Sequence, residues 1–134
     1  IYLGDRHHKR VGLLAFVVLP AEPSVDGVPL GPIDIVPAVT ERLMRILRKS
    51  DTLARLESGE FIILLPDLET EEQSQIAARR ILGIFDDPIN HEGHAVPVIV
   101  FSGVTITDQT GQDPEALLQK ALEALAETLK NAQA

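Results

Sequence analysis

The order of apolar segments predicts an α+β domain in which helices cover a mostly antiparallel sheet. Residues 11–19 form a nearly unbroken apolar run, which is typical of a strand buried on both faces. Two shorter, mainly apolar segments, 53–56 and 61–65, flank Glu57-Ser58-Gly59 and form a hairpin signature. Segments with helical spacing separate these strands. We therefore expect the order strand, helix, strand, strand, helix, strand, helix.

The first half of the chain contains a loop and then a helix. Residues 20–32 include four prolines and two glycines, so this segment is predicted to be a loop. Pro37 suits the first turn of the following helix. The predicted apolar stripe of this helix comprises Val39, Leu43, Ile46 and Leu47.

The second half is predicted to alternate helix, strand and helix. Thr70 to Gln73 has the form of a capping box, opening a helix to about Phe85. The residues at helical spacing are Ile76, Ala77, Arg80, Ile81 and Ile84. A connection over 86–93, with a turn at Glu92-Gly93, leads to a strand over 95–106, where Pro97 indicates an irregular start. Asp113-Pro114 then begins a helix to about Lys130. Its core-facing residues are Leu117, Leu118, Ala121, Leu122 and Leu125.

Composition restricts the possible classes of protein. A chain of 134 residues with 45% hydrophobic residues suits one globular domain, over residues 1–134. It lacks a membrane-length apolar run, a signal peptide and cysteine, so we expect a cytoplasmic domain with no membrane contact. The formal net charge of −8 argues against nucleic-acid binding.

Positive charge is nevertheless concentrated in one segment. Between residues 42 and 55 there are five basic residues against Asp51 alone, which gives +5 − 1 = +4. The basic residues are Arg42, Arg45, Arg48, Lys49 and Arg55. One interpretation is that the segment attracts an anionic ligand. The other is that basic residues simply favour the C-terminal end of a helix.

Two motifs in this region carry a family resemblance. Arg48 and Asp51 form an Arg-x-x-Asp motif, and five residues later comes Glu57-Ser58-Gly59-Glu60-Phe61. The arrangement resembles the centre of the GGDEF domain family, the diguanylate cyclases. The resemblance covers roughly residues 11–130. It implies the palm-like fold of nucleotidyl cyclases, with a central sheet of about five strands, and a fragment of a longer multidomain protein.

The resemblance also implies that catalysis has been lost. Family members hold Mg²⁺ through an acid at the end of the first strand and another at the third position of the turn motif. Here the strand ends Val17-Val18-Leu19, and Gly59 occupies the turn position. Glu57 replaces a glycine next to the triphosphate, and Leu129 replaces a phosphate-binding lysine. We therefore expect a degenerate domain that is not an enzyme and has no metal site and no cofactor.

Other candidate residues carry weaker signals. The guanine-binding positions of the family align approximately with Asp26 and Asp34. His7-His8, and His91 with His94, do not repeat a known metal-ligand spacing.

The motif that survives is the one that resembles a regulatory site. In active cyclases Arg-x-x-Asp binds the product, cyclic di-GMP, and the resemblance assigns this role to Arg48 and Asp51. Arginine can bind phosphate or the Hoogsteen edge of guanine, and aspartate can accept hydrogen bonds from guanine. A further arginine of the family aligns with Arg79, with Arg80 adjacent; Arg79 is preferred because Arg80 lies on the predicted apolar stripe. Alternatively, Arg48 and Asp51 only end a helix and start a turn.

Two functions follow from these observations. The first is a receptor for cyclic di-GMP in bacterial second-messenger signalling, acting with other domains of the same chain. The second is a structural or dimerisation module that binds no nucleotide, in which a homodimer would be formed.

Overall fold

The computed structural model describes residues 10–22, 24–48, 51–57, 59–108 and 114–133. Two 3₁₀ helices, Pro32–Ile35 and Gly83–Asp86, connect the main elements. The helices are α1 (Val36–Ile46), α2 (Glu71–Leu82) and α3 (Pro114–Gln133). The strands are β1 (Arg10–Pro20), β2 (Ser24–Val25), β3 (Val28–Pro29), β4 (Thr52–Arg55), β5 (Phe61–Leu68), β6 (Ile89–His91), β7 (His94–Val96) and β8 (Val98–Asp108).

The main sheet confirms the predicted α+β architecture, with one correction to its size. Its strand order is β4-β5-β1-β8, and every neighbouring pair is antiparallel. The described residues thus form a main sheet of four strands, where about five were expected. The remaining strands pair as two separate hairpins, β2–β3 and β6–β7.

The central strand β1 is buried on both faces, as its apolar run predicted. Because side chains alternate along a strand, Leu14 and Phe16 face one layer, and Leu13 and Ala15 face the other. Helices α1 and α2 contribute to the first core layer, and α3 contributes to the second. The sheet is therefore covered by helices on both sides.

Helix α3 approaches the sheet closely at a glycine. A Cβ atom added to Gly103 would lie 2.4 Å from the backbone nitrogen of Leu125. No side chain fits in that space without moving the helix. Leu117, Ala121 and Leu125 are buried, as predicted, whereas Leu118 and Leu122 are only partly buried.

Two predicted irregular segments contain short hairpins. The proline-rich segment was expected to be a loop, but Asp26 and Gly27 have φ angles of 52° and 81°, which suit the tight turn that joins β2 to β3. The predicted turn at Glu92-Gly93 is confirmed, with φ angles of 51° and 84°. Strand β6 extends into the segment expected to be a plain connection.

The predicted strand over 95–106 is divided at Pro97. The residues before it belong to β7, and those after it belong to β8. Proline has no N–H to donate to a ladder, so a change of pairing partner at this position is expected.

The predicted apolar stripe of α2 was partly wrong. The helix buries Ser74, Ala78 and Ile81, whereas Ile76 is 52% exposed and Arg80 is also exposed. The helix ends at Leu82 and continues as a 3₁₀ turn, so Ile84 does not extend a single helical stripe. Arg80 therefore cannot be set aside in favour of Arg79 on the ground that it faces the core.

Capping fixes the start of α2. Thr70 Oγ1 accepts a hydrogen bond from Gln73 N at 3.2 Å, and Gln73 Oε1 accepts one from Glu69 N at 2.7 Å. The second bond comes from the residue before the N-cap, so the capping box forms in a shifted version. None of the helices in the described part of the chain is long and apolar enough to cross a bilayer.

Candidate ligand-binding site

Arg48 and Asp51 form a compact turn after α1. Asp51 N donates to Arg48 O at 3.0 Å, and Asp51 Oδ2 accepts a hydrogen bond from Arg48 N at 2.9 Å. The carboxylate therefore helps to close a turn that begins at Arg48, whereas the structural alternative had Asp51 start one. A carboxylate has two oxygens and several acceptor positions, so this role leaves capacity for a ligand.

The turn borders a cavity of about 580 Å³ between α1 and the edge of the sheet. Helix α1, the turn, β4 and the first residue of β5 supply its walls. The described lining residues are Thr40, Met44, Leu47, Arg48, Asp51, Leu53, Arg55 and Phe61. We refer to this site as the α1–β4 cavity. It combines two guanidinium groups, one carboxylate and an apolar surface.

The two arginines of the cavity differ from the other two arginines of the same segment. Within the described ranges, the guanidinium groups of Arg48 and Arg55 form no hydrogen bond or ion pair. Arg45, in contrast, pairs with Glu41 one helical turn away. Among the described arginines of this segment, the two at the cavity therefore have guanidinium donors available to a ligand.

Arg42 is fully engaged in holding the fold together. Its guanidinium donates to three backbone carbonyl oxygens: Ile84 at 3.0 Å, Asp87 at 2.5 Å and Pro88 at 2.6 Å. These bonds attach α1 to the segment that follows α2. Arg42 keeps its positive charge, but its donors are used within the fold. Attraction of an anion by the whole basic segment stays a prediction, and Lys49 lies outside the described residues.

Arg79 and Arg80 lie elsewhere on the surface. Both are exposed residues in the last turn of α2, and neither is among the described residues that line the α1–β4 cavity. No described contact joins either of them to Arg48 or Asp51. The assisting role of Arg79 stays a prediction.

Sequence reasoning did not assign several cavity residues to the site, and Arg55, named only as part of the basic segment, is the most informative of them. Leu53 and Arg55 are two residues apart in β4 and therefore share a face of that strand. Thr40 and Met44 lie one helical turn apart on α1, and Leu47 is the residue directly after the helix. These periodicities were visible in the sequence, but nothing in them shows that the two surfaces meet.

The hairpin turn after β4 adopts a conformation suited to glycine. Leu56 N donates to Glu60 O at 2.8 Å, and Gly59 N donates to Leu56 O at 2.9 Å. Gly59 has a φ of 105°, a value that other residues rarely adopt. Ser58 lies outside the described residues. An aspartate at position 59 would be strained in this conformation.

Among the described residues, no group of three or more His, Asp or Glu side chains is placed to hold a metal ion. His7 and His8 lie outside the described part of the chain.

A second cavity, of about 280 Å³, lies between the β2–β3 and β6–β7 hairpins. Asp26, Asp34, His91, Glu92 and His94 contribute its ionisable lining. His94 Nδ1 lies 3.6 Å from Asp26 Oδ2, and His91 Nε2 lies 3.9 Å from Glu92 Oε2. The two acids aligned with the family's guanine-binding positions thus share one cavity.

Comparison with known proteins gives a consistent assignment. The sequence model "Diguanylate cyclase, GGDEF domain" matches residues 34–134. Over 87 residues the chain is 32% identical to the cyclic di-GMP phosphodiesterase NbdA of Pseudomonas aeruginosa, covering 65% of this chain and 11% of the relative. It is 34% identical over 79 residues to the probable diguanylate cyclase DgcE of Escherichia coli, covering 59% and 7%. The chain spans about a tenth of the length of the first curated relatives it matches.

Solved structures show the same fold. The GGDEF domain of YfiN (TpbB) from Pseudomonas aeruginosa superimposes with a TM-score of 0.76 at 24% identity, covering 98% of this chain and 81% of that one. The GGDEF domain of DgcB from Caulobacter crescentus, in complex with c-di-GMP, has a TM-score of 0.67 at 11% identity, covering 96% and 77%.

Proposed function

Because the chain belongs to the GGDEF domain family, we propose that it is a catalytically inactive domain that acts as a receptor for cyclic di-GMP. Arg48 and Asp51 form the primary binding site, and Arg79 assists. The observation that carries the proposal is the placement of Arg48 and Asp51 side by side on the α1–β4 cavity. DgcB, which is similar in fold, is described in complex with c-di-GMP.

The chemistry of the cavity suits a guanine nucleotide. The Arg48 fork can donate two parallel hydrogen bonds to a phosphate or to guanine O6 and N7. Asp51 can accept hydrogen bonds from the guanine N1–H and amino group. Leu47 and Leu53 offer apolar surface to a base. The volume of about 580 Å³ falls within the range of roughly 300–1,000 Å³ for small-molecule sites.

Calorimetric titration of the domain with cyclic di-GMP tests this receptor function. At about a hundred-micromolar protein we expect saturable heat, because a site with charge-assisted contacts supports binding well below that concentration. Cyclic di-AMP is the matched control because it keeps both phosphates. Adenine has neither the N1–H nor the 2-amino group of guanine, from which Asp51 would accept hydrogen bonds. Equal affinity for cyclic di-GMP and cyclic di-AMP would show that Asp51 does not recognise the base. No heat with cyclic di-GMP would favour a structural or dimerisation module.

The same proposal includes an absence of enzyme activity. The end of β1 carries no acid, Gly59 occupies the position of the turn acid, and Leu129 replaces the lysine. Incubated with GTP and Mg²⁺ or Mn²⁺, the domain should make no cyclic di-GMP detectable by mass spectrometry. Gly59→Asp alone should not restore activity, because the partner carboxylate is still missing and the backbone at φ 105° disfavours the new residue. Product from the unaltered domain would overturn the claim.

A further inference from the structure

We propose that Arg55 is the second ligand-binding cation of the α1–β4 cavity, so that a ligand with two anionic groups is held between Arg48 and Arg55. This inference rests on the proposed function, because it concerns the same cavity. The inference adds Arg55, a residue of the sheet, to a site whose Arg-x-x-Asp motif lies in the turn after α1.

The register of the hairpin fixes where Arg55 lies. Arg55 is the last residue of β4 and pairs with Phe61, the first residue of β5. Phe61 is only 2% exposed, and its ring stacks on Phe16 with 5.4 Å between ring centroids. The Arg55 backbone is therefore anchored next to the core, while its side chain is exposed at the cavity.

Positive charge exceeds negative charge among the described residues that line the cavity. Its described lining contains the guanidinium groups of Arg48 and Arg55 and only one carboxylate, Asp51, which gives +2 − 1 = +1 at neutral pH. The chain as a whole carries −8. A local excess of positive charge on an acidic protein attracts anions, and two like charges on one cavity are stabilised when a dianion lies between them.

The apolar part of the cavity indicates what else the ligand contains. Met44 lies in the last turn of α1, four residues before Arg48, and is 62% exposed, which is high for a large apolar side chain. Leu47 and Leu53 are partly buried beside it. A methionine thioether packs well against aromatic rings. A ligand with two phosphates and flat bases, as in a cyclic dinucleotide, matches both the charged and the apolar surfaces.

Titrations of the whole domain with cyclic di-GMP can test Arg55 directly. Arg55→Ala should weaken binding by roughly ten- to a hundredfold, as expected for loss of a charge-assisted hydrogen bond. Arg55→Lys keeps the charge but not the planar fork, so it should bind with intermediate affinity. Arg45→Ala is the matched control, because it removes an exposed arginine of the same segment outside the cavity. Thermal unfolding of each variant confirms that the fold is intact.

The outcomes separate this inference from the proposed function. In one outcome the unaltered domain binds cyclic di-GMP, Arg48→Ala weakens that binding and Arg55→Ala does not. The proposed receptor function then holds, and the proposed role of Arg55 is wrong. If GTP binds in place of cyclic di-GMP and Arg55→Ala abolishes that binding, the two-arginine site stands and the receptor is wrong. If neither nucleotide binds, both are overturned.

Discussion

Two pairs of arginines in one short segment differ in whether their guanidinium groups contact the protein. Arg42 and Arg45 are bound by neighbouring groups of the protein, whereas the guanidinium groups of Arg48 and Arg55 have no such partner within the described ranges. All four count equally in the net charge of the sequence. Hydrogen bonds to neutral carbonyl groups leave the charge of Arg42 in place. The difference between the pairs therefore concerns which guanidinium donors a ligand can still use.

The geometry explains why the pairs differ. Arg42 points toward the segment after α2, where carbonyl groups at the end of the 3₁₀ helix need donors. Arg48 lies beyond the end of α1, and Arg55 lies on the edge strand of the sheet. Arginines at the ends and edges of elements remain available to other molecules.

The largest effect that distinguishes the pairs is expected at Arg48. Arg48→Ala should weaken cyclic di-GMP binding by about 2–3 kcal/mol, because it removes a charge-assisted contact. The free energy of unfolding should stay within about 0.5 kcal/mol of the unaltered domain, since the side chain is exposed. Calorimetry and urea denaturation measure the two quantities. Unchanged affinity would locate the ligand elsewhere.

At Arg42 we expect a smaller effect, on stability and not on ligand affinity. Arg42→Ala should lower the free energy of unfolding by about 1–2 kcal/mol, because three carbonyl acceptors lose a charged donor but stay accessible to water. Urea denaturation measures this change, and Arg42→Lys should restore part of it. Affinity for cyclic di-GMP should change little. A loss of affinity with full stability would contradict the division between the two pairs.

The smallest effect is expected at Arg45. Its ion pair with Glu41 is exposed, at 70% for the Arg45 side chain and 68% for the Glu41 side chain. Exposed pairs of this kind contribute about 0.3–0.5 kcal/mol on helices. Arg45→Ala should therefore alter both stability and affinity by no more than about 0.5 kcal/mol. A tenfold loss of affinity would extend the ligand site along α1.

The parts of the fold that were predicted correctly depend on local patterns. The apolar run of β1, the hairpin after Arg55 and the start of a helix at Pro114 each follow from neighbouring residues. The N-cap predicted at Asp113 lies outside the described residues. The stripe of α2 was mispredicted at Ile76 and Arg80, because a helix with few apolar residues can pack in more than one orientation. Tertiary contacts with the sheet select the face that carries Ala78 and Ile81.

The site was predictable to a similar extent. Arg48 and Asp51 lie three residues apart, so their turn follows from local spacing. The contacts of Arg42 reach residues 42 to 46 positions away, and no local pattern reports them. The same is true of Arg55, whose place beside Met44 depends on how α1 lies over β4.

Because β4 is only four residues long, we expect its hydrogen bonds to β5 to open locally. Within the described ranges this strand pairs with β5 alone and lies at the edge of the sheet. Its amide groups can therefore exchange with solvent through fluctuations that leave the core folded. Arg55 ends the strand, and Asp51 immediately precedes it. A ligand held at both positions would clamp the strand at its two ends. Slower amide hydrogen exchange in β4, with little change in β1, is therefore the expected signature of an occupied cavity.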